Sequence, residues 1–572
     1  MSVLAFSACT SNTPGAEGEP PVSKKKVYSE EEIEKRIAKA GKKYDGLYSY
    51  ERDGLQTLFF SSNSAKKGAL GGAVMYEATA EAEASMDLSA APNSVPAQYD
   101  VYEDVDWNTE DYNSIRESGF VSVATQPFST FGADVDTATY SNFRRSVFEN
   151  DGFGIGGDAI RVEEMINYFN YDYAKPADGD KFGVTTVLAE CPWNPDTLLL
   201  RVGVKAEEIK PQGGSNIVFL IDTSGSMFDN NKLPLAQEAF KKLQESLTED
   251  DIVSIVTYAG TSEVALEGEK GDSREAIRDA IDSLEAGGST NGEGGIIKAY
   301  EIAEKYFIKG GNNRVILATD GDLNVGVSSE AGLIELVEEK KESGVFLSCL
   351  GFGSGNYKDD KMEALADHGN GNYSFIDCTA EADRVLKDEI WSTLYTVAKD
   401  VKFQVEFNPA AVKGYRLIGY ENRAMAAEDF ADDTKDGGEV GSGQCVTVLY
   451  EVVTTDSAYE IPGVESRYGN DEAAAGDADE LLVVNVRYKE PDEDTSKLLN
   501  YPVTKDMQIE EMDEDTSWAA GVAQFGMLLR DSEYAGNSDY QAIYDRLKMT
   551  PKVMDDDYRS EFLYLVKTVG NL

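Results

Sequence analysis

The sequence predicts a doubly wound α/β domain set into a flanking antiparallel β-sandwich, with a C-terminal helical segment and a disordered N-terminal tether. Three observations carry this. Ile217-Val-Phe-Leu-Ile221 is a nearly continuous apolar run, as in a strand covered on both faces of a parallel sheet, and strand and helix patterns alternate after it as far as Thr393. On either side of that stretch, Leu198, Leu200, Val202 and Val204, and then Val401, Phe403, Val405 and Phe407, recur at every second position, the pattern of half-buried strands. Finally, 572 residues are enough for several folded units, at about 150 residues per domain.

The elements follow in order. Residues 10–111 read as a tether: Thr10 to Pro21 is rich in Ser, Thr, Pro, Gly and Glu, a charged piece with some helical character spans about 29–40, and 61–110 is rich in Ala, Ser, Asn and acids. An α+β region is expected over 112–213. In it Asp136 or Thr137 caps a helix carrying Tyr140, Phe143 and Val147, a second helix covers Arg161–Phe169, and strands cover Val184–Leu188 and Leu198–Val204. The α/β domain occupies 214–396. Its expected strands are Ile217–Asp222, Ile252–Tyr258, Glu263–Leu266, Arg314–Thr319, Val345–Gly351 and Tyr373–Ile376, with helical spacing between them, as in Leu233, Ala236, Phe240, Leu243 and Leu247. A β-rich region, 397–508, adds strands at Tyr415–Tyr420, Cys445–Val453 and Leu481–Tyr488, broken by an acidic loop over 454–480. The last region, 509–572, is helical: Trp518, Val522, Phe525 and Leu529, then Phe562, Leu565, Val566 and Val569, form stripes that need a partner surface.

Composition removes whole classes of function. Asp plus Glu number 104 against 53 for Lys plus Arg, a formal charge of −51, so the chain repels phosphate backbones and nucleic-acid binding is not expected. His368 is the single histidine, which excludes multi-histidine zinc sites; it falls at a helix end before Gly369, where a capping or surface role fits it. Cys9, Cys191, Cys349, Cys378 and Cys445 form no close pair and no disulfide framework. No apolar run is long enough to span a bilayer as a helix.

Three segments fall where ligands of doubly wound sheets bind, outside the carboxyl ends of the strands: Asp222-Thr-Ser-Gly-Ser226, Gly287-Gly-Ser-Thr290 and Thr319-Asp-Gly-Asp322. In the strand order 3-2-1-4-5-6 the first and fourth strands are neighbours, which sets Asp222 beside Asp320, two carboxylates that call for a cation. Asp222, Ser224, Ser226, Thr290 and Asp320 offer only hard oxygen donors, which suit Mg²⁺, then Mn²⁺ or Ca²⁺. Ser-Gly-Ser and Asp-Gly are ordinary turn chemistry when met singly. Together at three strand or helix ends, they point to a metal with an open position for an outside carboxylate. Asp134 and Asp136 make a second carboxylate pair, read as helix capping. Enzyme alternatives are weak: Asp222-Thr-Ser-Gly lacks the second copy an aspartic-protease dyad needs, and no phosphate-binding Gly-Lys-Ser/Thr loop accompanies the site.

Asp222-x-Ser-x-Ser226 with Thr290 and Asp320 resembles the metal-ion-dependent adhesion site of von Willebrand factor type A domains, which are Rossmann-like. Further segments, Phe128-Ser-Thr-Phe131, Asp134-Val-Asp-Thr-Ala-Thr-Tyr140, Arg161-Val-Glu-Glu-Met-Ile-Asn-Tyr-Phe169, Cys191-Pro-Trp-Asn194, Gly311–Asp320 and Tyr415–Asn422, are similar to a bacterial lipoprotein family. That family joins such a domain to its own N-terminal region and to a C-terminal region of unknown function. The resemblance covers about 112–572. It implies a non-enzymatic binding protein whose metal accepts an Asp or Glu from a protein partner; a metal-stabilised envelope scaffold and a metal-dependent hydrolase are the alternatives. Residues 1–9, ending in Cys9, resemble the end of a lipoprotein signal and imply an extracytoplasmic, lipid-anchored protein.

Overall fold

A computed structural model of the chain describes residues 28–48, 115–149, 156–209, 213–321, 323, 330–354, 358–461, 479–491, 493 and 495–572. Cys9, Asp322 and most of the acidic loop over 454–480 lie outside these residues, as do all parts of the expected tether except 28–48.

The α/β domain is built on β5 (Ser215–Asp222), β6 (Ile252–Tyr258), β7 (Ser262–Lys270), β8 (Asn312–Thr319), β9 (Phe346–Phe352) and β10 (Tyr373–Ile376). Their order across the sheet is β10-β9-β8-β5-β6-β7, the doubly wound order expected, with β7 antiparallel to β6 and the other pairs parallel. β5 is buried along its whole length because helices cover both faces. One face carries α4 (Leu233–Ser246) and α5 (Arg274–Asp282), through Leu243, Phe240, Ile277 and Ile281. The other carries α6 (Gly292–Lys305), α7 (Glu330–Lys341) and α8 (Asp359–His368), through Ile296, Tyr300, Val337 and Met362. His368 ends α8 at the surface, with Nδ1 2.8 Å from Glu338 Oε1.

Chain on both sides of this domain forms the sandwich. One sheet runs β1 (Val121–Ser122), β12 (Val412–Ile418), β14 (Cys445–Thr454), β4 (Leu198–Ala206), β3 (Phe182–Glu190); the other runs β13 (Gly438–Gly441), β11 (Thr396–Phe407), β15 (Glu480–Lys489), β16 (Ser496–Thr504), with β2 (Phe128–Gly132) also on β11. Each sheet mixes early and late strands: Val202 pairs with Val448, and Phe131 with Phe403. The α/β domain is thus an insertion between β4 and β11. Alternation along these strands turns Val202, Val204, Phe403, Val405, Val448 and Val484 into one buried core.

A third layer is helical. α2 (Ala138–Glu149), α3 (Val162–Asn167), α11 (Glu514–Leu529), α12 (Tyr540–Leu547) and α13 (Asp557–Val569) pack around Phe169, Trp518, Phe525 and Phe562, whose rings meet edge-on. Aromatic packing of this kind adds about 0.5–1.5 kcal/mol per pair beyond area burial.

Two expectations are corrected here. Residues 30–48 are not tether but a helix, α1, whose Ile33, Ile37, Tyr44 and Tyr48 are buried against this helical core. Ser29 and Glu32 close it with a reciprocal capping box: the Ser29 amide donates to Glu32 Oε2 at 2.8 Å and the Glu32 amide to Ser29 Oγ at 3.3 Å. Nor does the carboxylate of Asp136 serve as an N-cap. It accepts the Tyr373 amide at 2.9 Å and faces Arg423 at 3.3 Å, while the Thr137 hydroxyl accepts from Arg384. The pair Asp134 and Asp136 therefore ties the early chain to β10 and to the loop after β12.

Candidate metal centre

Asp222 is the last residue of β5, and the chain turns sharply after it. The Ser224 amide donates to Asp222 Oδ1 at 2.9 Å, folding the loop back on the strand end as Asp side chains do in turns, and Ser224 Oγ comes to 3.0 Å from Ser226 Oγ. The Gly225 amide donates to the Gly288 carbonyl at 3.0 Å, an approach with little room for a side chain, since a Cβ at Gly225 would lie 3.2 Å from that oxygen. A second bond, from the Gly287 amide to the Thr223 carbonyl at 2.8 Å, completes the docking of loop 287–290 on loop 223–226. Thr290 is thereby buried at this end of the sheet, just before Asn291, whose side chain caps α6 by accepting from the Gly294 amide at 3.2 Å.

Asp320 reaches the same place from the neighbouring strand. β8 pairs in parallel with β5, Ile221 opposite Ala318, so the two strands end together. Both aspartates are fully buried. The Thr319 hydroxyl donates to Asp222 Oδ2 at 2.8 Å, and Lys232 Nζ stands 3.0 Å from Asp320 Oδ2. Burial pushes the Asp222 carboxyl up to about 6; hydrogen bonds from Ser224 and Thr319 pull the other way and the charge of Asp320 adds to the rise. A carboxylate that is costly to ionise where it stands is the state a divalent cation relieves.

All five expected residues thus lie at the carboxyl end of one sheet. Asp222, Ser224 and Ser226 are linked by direct hydrogen bonds, Asp320 acts on Asp222 through its charge, and backbone docking brings in the loop that carries Thr290. Among the described residues no group of three or more His, Cys, Asp and Glu side chains is arranged for a metal. An ion held here would rest instead on two carboxylates and three hydroxyls, a hard oxygen set that fits Mg²⁺ and its neighbours. Three further residues were not singled out from sequence. Thr319 holds Asp222, Lys232 faces Asp320, and Tyr258, opposite Asp222 in the β5–β6 register, is buried with its phenol held well above the ordinary range, by burial first and then by the charge of Asp222. For Tyr258 a signal existed: parallel pairing of two strands of known ends places it. Lys232, six residues past Ser226 in a loop, left none.

Comparison with known proteins finds three families along the chain. The von Willebrand factor type A domain family matches residues 216–388, a family described as von Willebrand factor matches 106–201, and one described as uncharacterized protein YfbK, C-terminal, matches 392–572. The Escherichia coli (strain K12) protein "Uncharacterized protein YfbK" is 41% identical over 471 residues, covering 80% of this chain and 81% of that protein. Among solved structures, von Willebrand factor type A from Catenulispora acidiphila is 16% identical, covering 66% of this chain and 87% of that one, with a TM-score of 0.36. Proximal thread matrix protein 1 from the mussel byssus, solved with a zinc-occupied adhesion-site motif, is 22% identical over 31% of this chain and 44% of that one, with a TM-score of 0.27.

Proposed function

The chain belongs to the bacterial family of Escherichia coli YfbK, in which a von Willebrand factor type A domain sits between an N-terminal region and the YfbK C-terminal region, and from that premise we propose that it is a cell-envelope binding protein. In this proposal Asp222, Ser224, Ser226, Thr290 and Asp320 hold Mg²⁺, or in its place Mn²⁺ or Ca²⁺, and the ion accepts an Asp or Glu carboxylate from a protein partner. Domains of this kind typically mediate protein–protein interaction through such a site. The supporting observation is the buried pair Asp222 and Asp320 on adjacent strand ends, with the serine loop folded over Asp222.

The ion supplies a positive pole for the incoming carboxylate. The chain's residues do the rest. Thr319 and the Ser224 amide fix both oxygens of Asp222, so that it does not reorient as charge arrives. Hydroxyls in place of further carboxylates leave the ion more of its charge for an outside anion. Phe228, two residues beyond Ser226 and 71% exposed, offers an apolar contact beside the loop, which suits an acidic residue flanked by an apolar one. The role is binding rather than catalysis, and the location is extracytoplasmic, through lipidation at Cys9.

The test is capture of envelope proteins by the full chain in Mg²⁺ and in EDTA, with Asp222→Ala alongside. A protein retained only by the wild type in Mg²⁺ supports the proposal. Mg²⁺ that raises the melting temperature but changes no captured protein points to a scaffold, and turnover of a substrate abolished by Asp222→Ala points to a hydrolase.

A further inference from the structure

Lys232 lies just ahead of α4 in a backbone fixed on both sides: its amide donates to the Asp229 carbonyl at 3.0 Å and its carbonyl accepts the Ala236 amide at 2.9 Å. Its stem runs buried beneath the end of β9, where Gly353 has a φ of +86°. A Cβ at Gly353 would lie 2.5 Å from Lys232 Cε and 2.6 Å from Cγ, so this glycine leaves the channel through which the lysine reaches Asp320. The ammonium ends 3.0 Å from Asp320 Oδ2. A buried lysine is rare unless paired, and this one is led by the fold onto one of the carboxylates that would share an ion.

Formal charges show what this does. Asp222, Asp320 and Lys232 together carry one excess negative charge; a divalent ion would turn this into one positive charge, and a partner carboxylate would bring it to neutrality. Without the lysine the same steps run from two negative charges to neutrality and then to one negative charge. The ammonium repels the ion and attracts the carboxylate, in surroundings where neither is well screened.

We infer that Lys232 is a fixed counter-ion of the site that weakens metal loading and strengthens capture of the acidic ligand. The inference rests on the metal reading above and deepens it. A lysine that served packing alone would shift both affinities in one direction.

The experiment uses the full chain, Lys232→Met, and Lys232→Gln, which keeps a donor for Asp320 without the charge. Mg²⁺ affinity is measured by calorimetry. Acetate, the smallest carboxylate probe, is followed by paramagnetic broadening of its methyl signal with the Mn²⁺-loaded protein. Cooperative melting in EDTA shows which variants fold, and the result expected of each folded variant is Mg²⁺ binding tighter by about tenfold with acetate binding weaker by at least about threefold. Affinities that fall together, or stay at wild-type values, overturn the role of Lys232. Failure of both variants to fold also overturns it, by making the lysine structural. Wild-type protein that binds no Mg²⁺ fails the metal reading itself, a separate outcome.

Discussion

Asp222 is the residue on which binding and stability pull in opposite directions. Its carboxylate is buried and raised to about 6, a cost that the hydrogen bonds from Ser224 and Thr319 offset only in part and that a bound cation would relieve. Asp222→Asn is therefore expected to raise stability in EDTA by about 1–2 kcal/mol while abolishing stabilisation by Mg²⁺. Thermal melts with and without the ion check this; an equal loss of stability in both conditions contradicts it. At this scale the sequence was informative. Asp222, Ser224, Ser226, Thr290 and Asp320 are legible because strand ends and turn residues have local signatures. Lys232 is not, since a lysine that crosses from a loop to a neighbouring strand end is placed by tertiary packing that leaves no local pattern.

At the scale of elements, α1 shows where composition misleads. Its many charges give it the look of a stalk, yet Ile33, Ile37, Tyr44 and Tyr48 fall on one stripe, and Ser29 with Glu32 is a capping box. Sparse apolar positions suffice when a large aromatic surface waits to receive them, and only the fold reveals that surface. Ile37→Ala is expected to cost about 2–4 kcal/mol in urea unfolding, against near zero for a true tether. α13 carries a second consequence. Glu561, fully buried, accepts from the Tyr140 hydroxyl at 2.7 Å, and burial raises its carboxyl from 4.5 to about 8. The folded protein thus keeps a proton that the unfolded chain releases, so stability falls as pH rises through that range. On the order of 1 kcal/mol is lost between about pH 7 and 9. Glu561→Gln, which cannot ionise, should flatten that part of the stability–pH curve, and an unchanged slope would assign it to other groups.

Across the described residues, the three layers are joined by arginines that are buried or nearly so. Arg144 of α2 pairs with Asp377 at 2.6 Å and Glu381 at 2.7 Å in the inserted domain. Arg161 reaches Asp359 of α8 at 2.7 Å, and Arg423, beyond β12, reaches Asp134 at 3.2 Å and Asp367 at 2.6 Å. The inserted domain is thus held to the sandwich by ion pairs as well as by apolar contact. Such pairs add little over a hydrophobic match but are expensive to break, so Arg423→Ala, which takes a shared cation from Asp134, Asp136, Glu363 and Asp367 while leaving Glu363 its pair with Arg161, is expected to cost about 3–5 kcal/mol. Melting of the variant checks it, and a loss under 1 kcal/mol would mean that water reaches this cluster. The insertion itself is legible in the sequence, because two periods of hydrophobicity exchange at residues near 214 and 396. These partnerships are not, because charge pairing over hundreds of residues has no period. Segments such as Asp134–Tyr140 and Arg161–Phe169 identify a family on sight and disclose their role as joints only in three dimensions.

Convergence of Asp222, Ser224, Ser226, Thr290 and Asp320 on one ion is tested most directly by anomalous diffraction from crystals of the full chain grown with Mn²⁺. One peak bounded by these five side chains at the carboxyl ends of β5 and β8 is predicted. No peak there at saturating Mn²⁺, or a peak held by other residues, contradicts it.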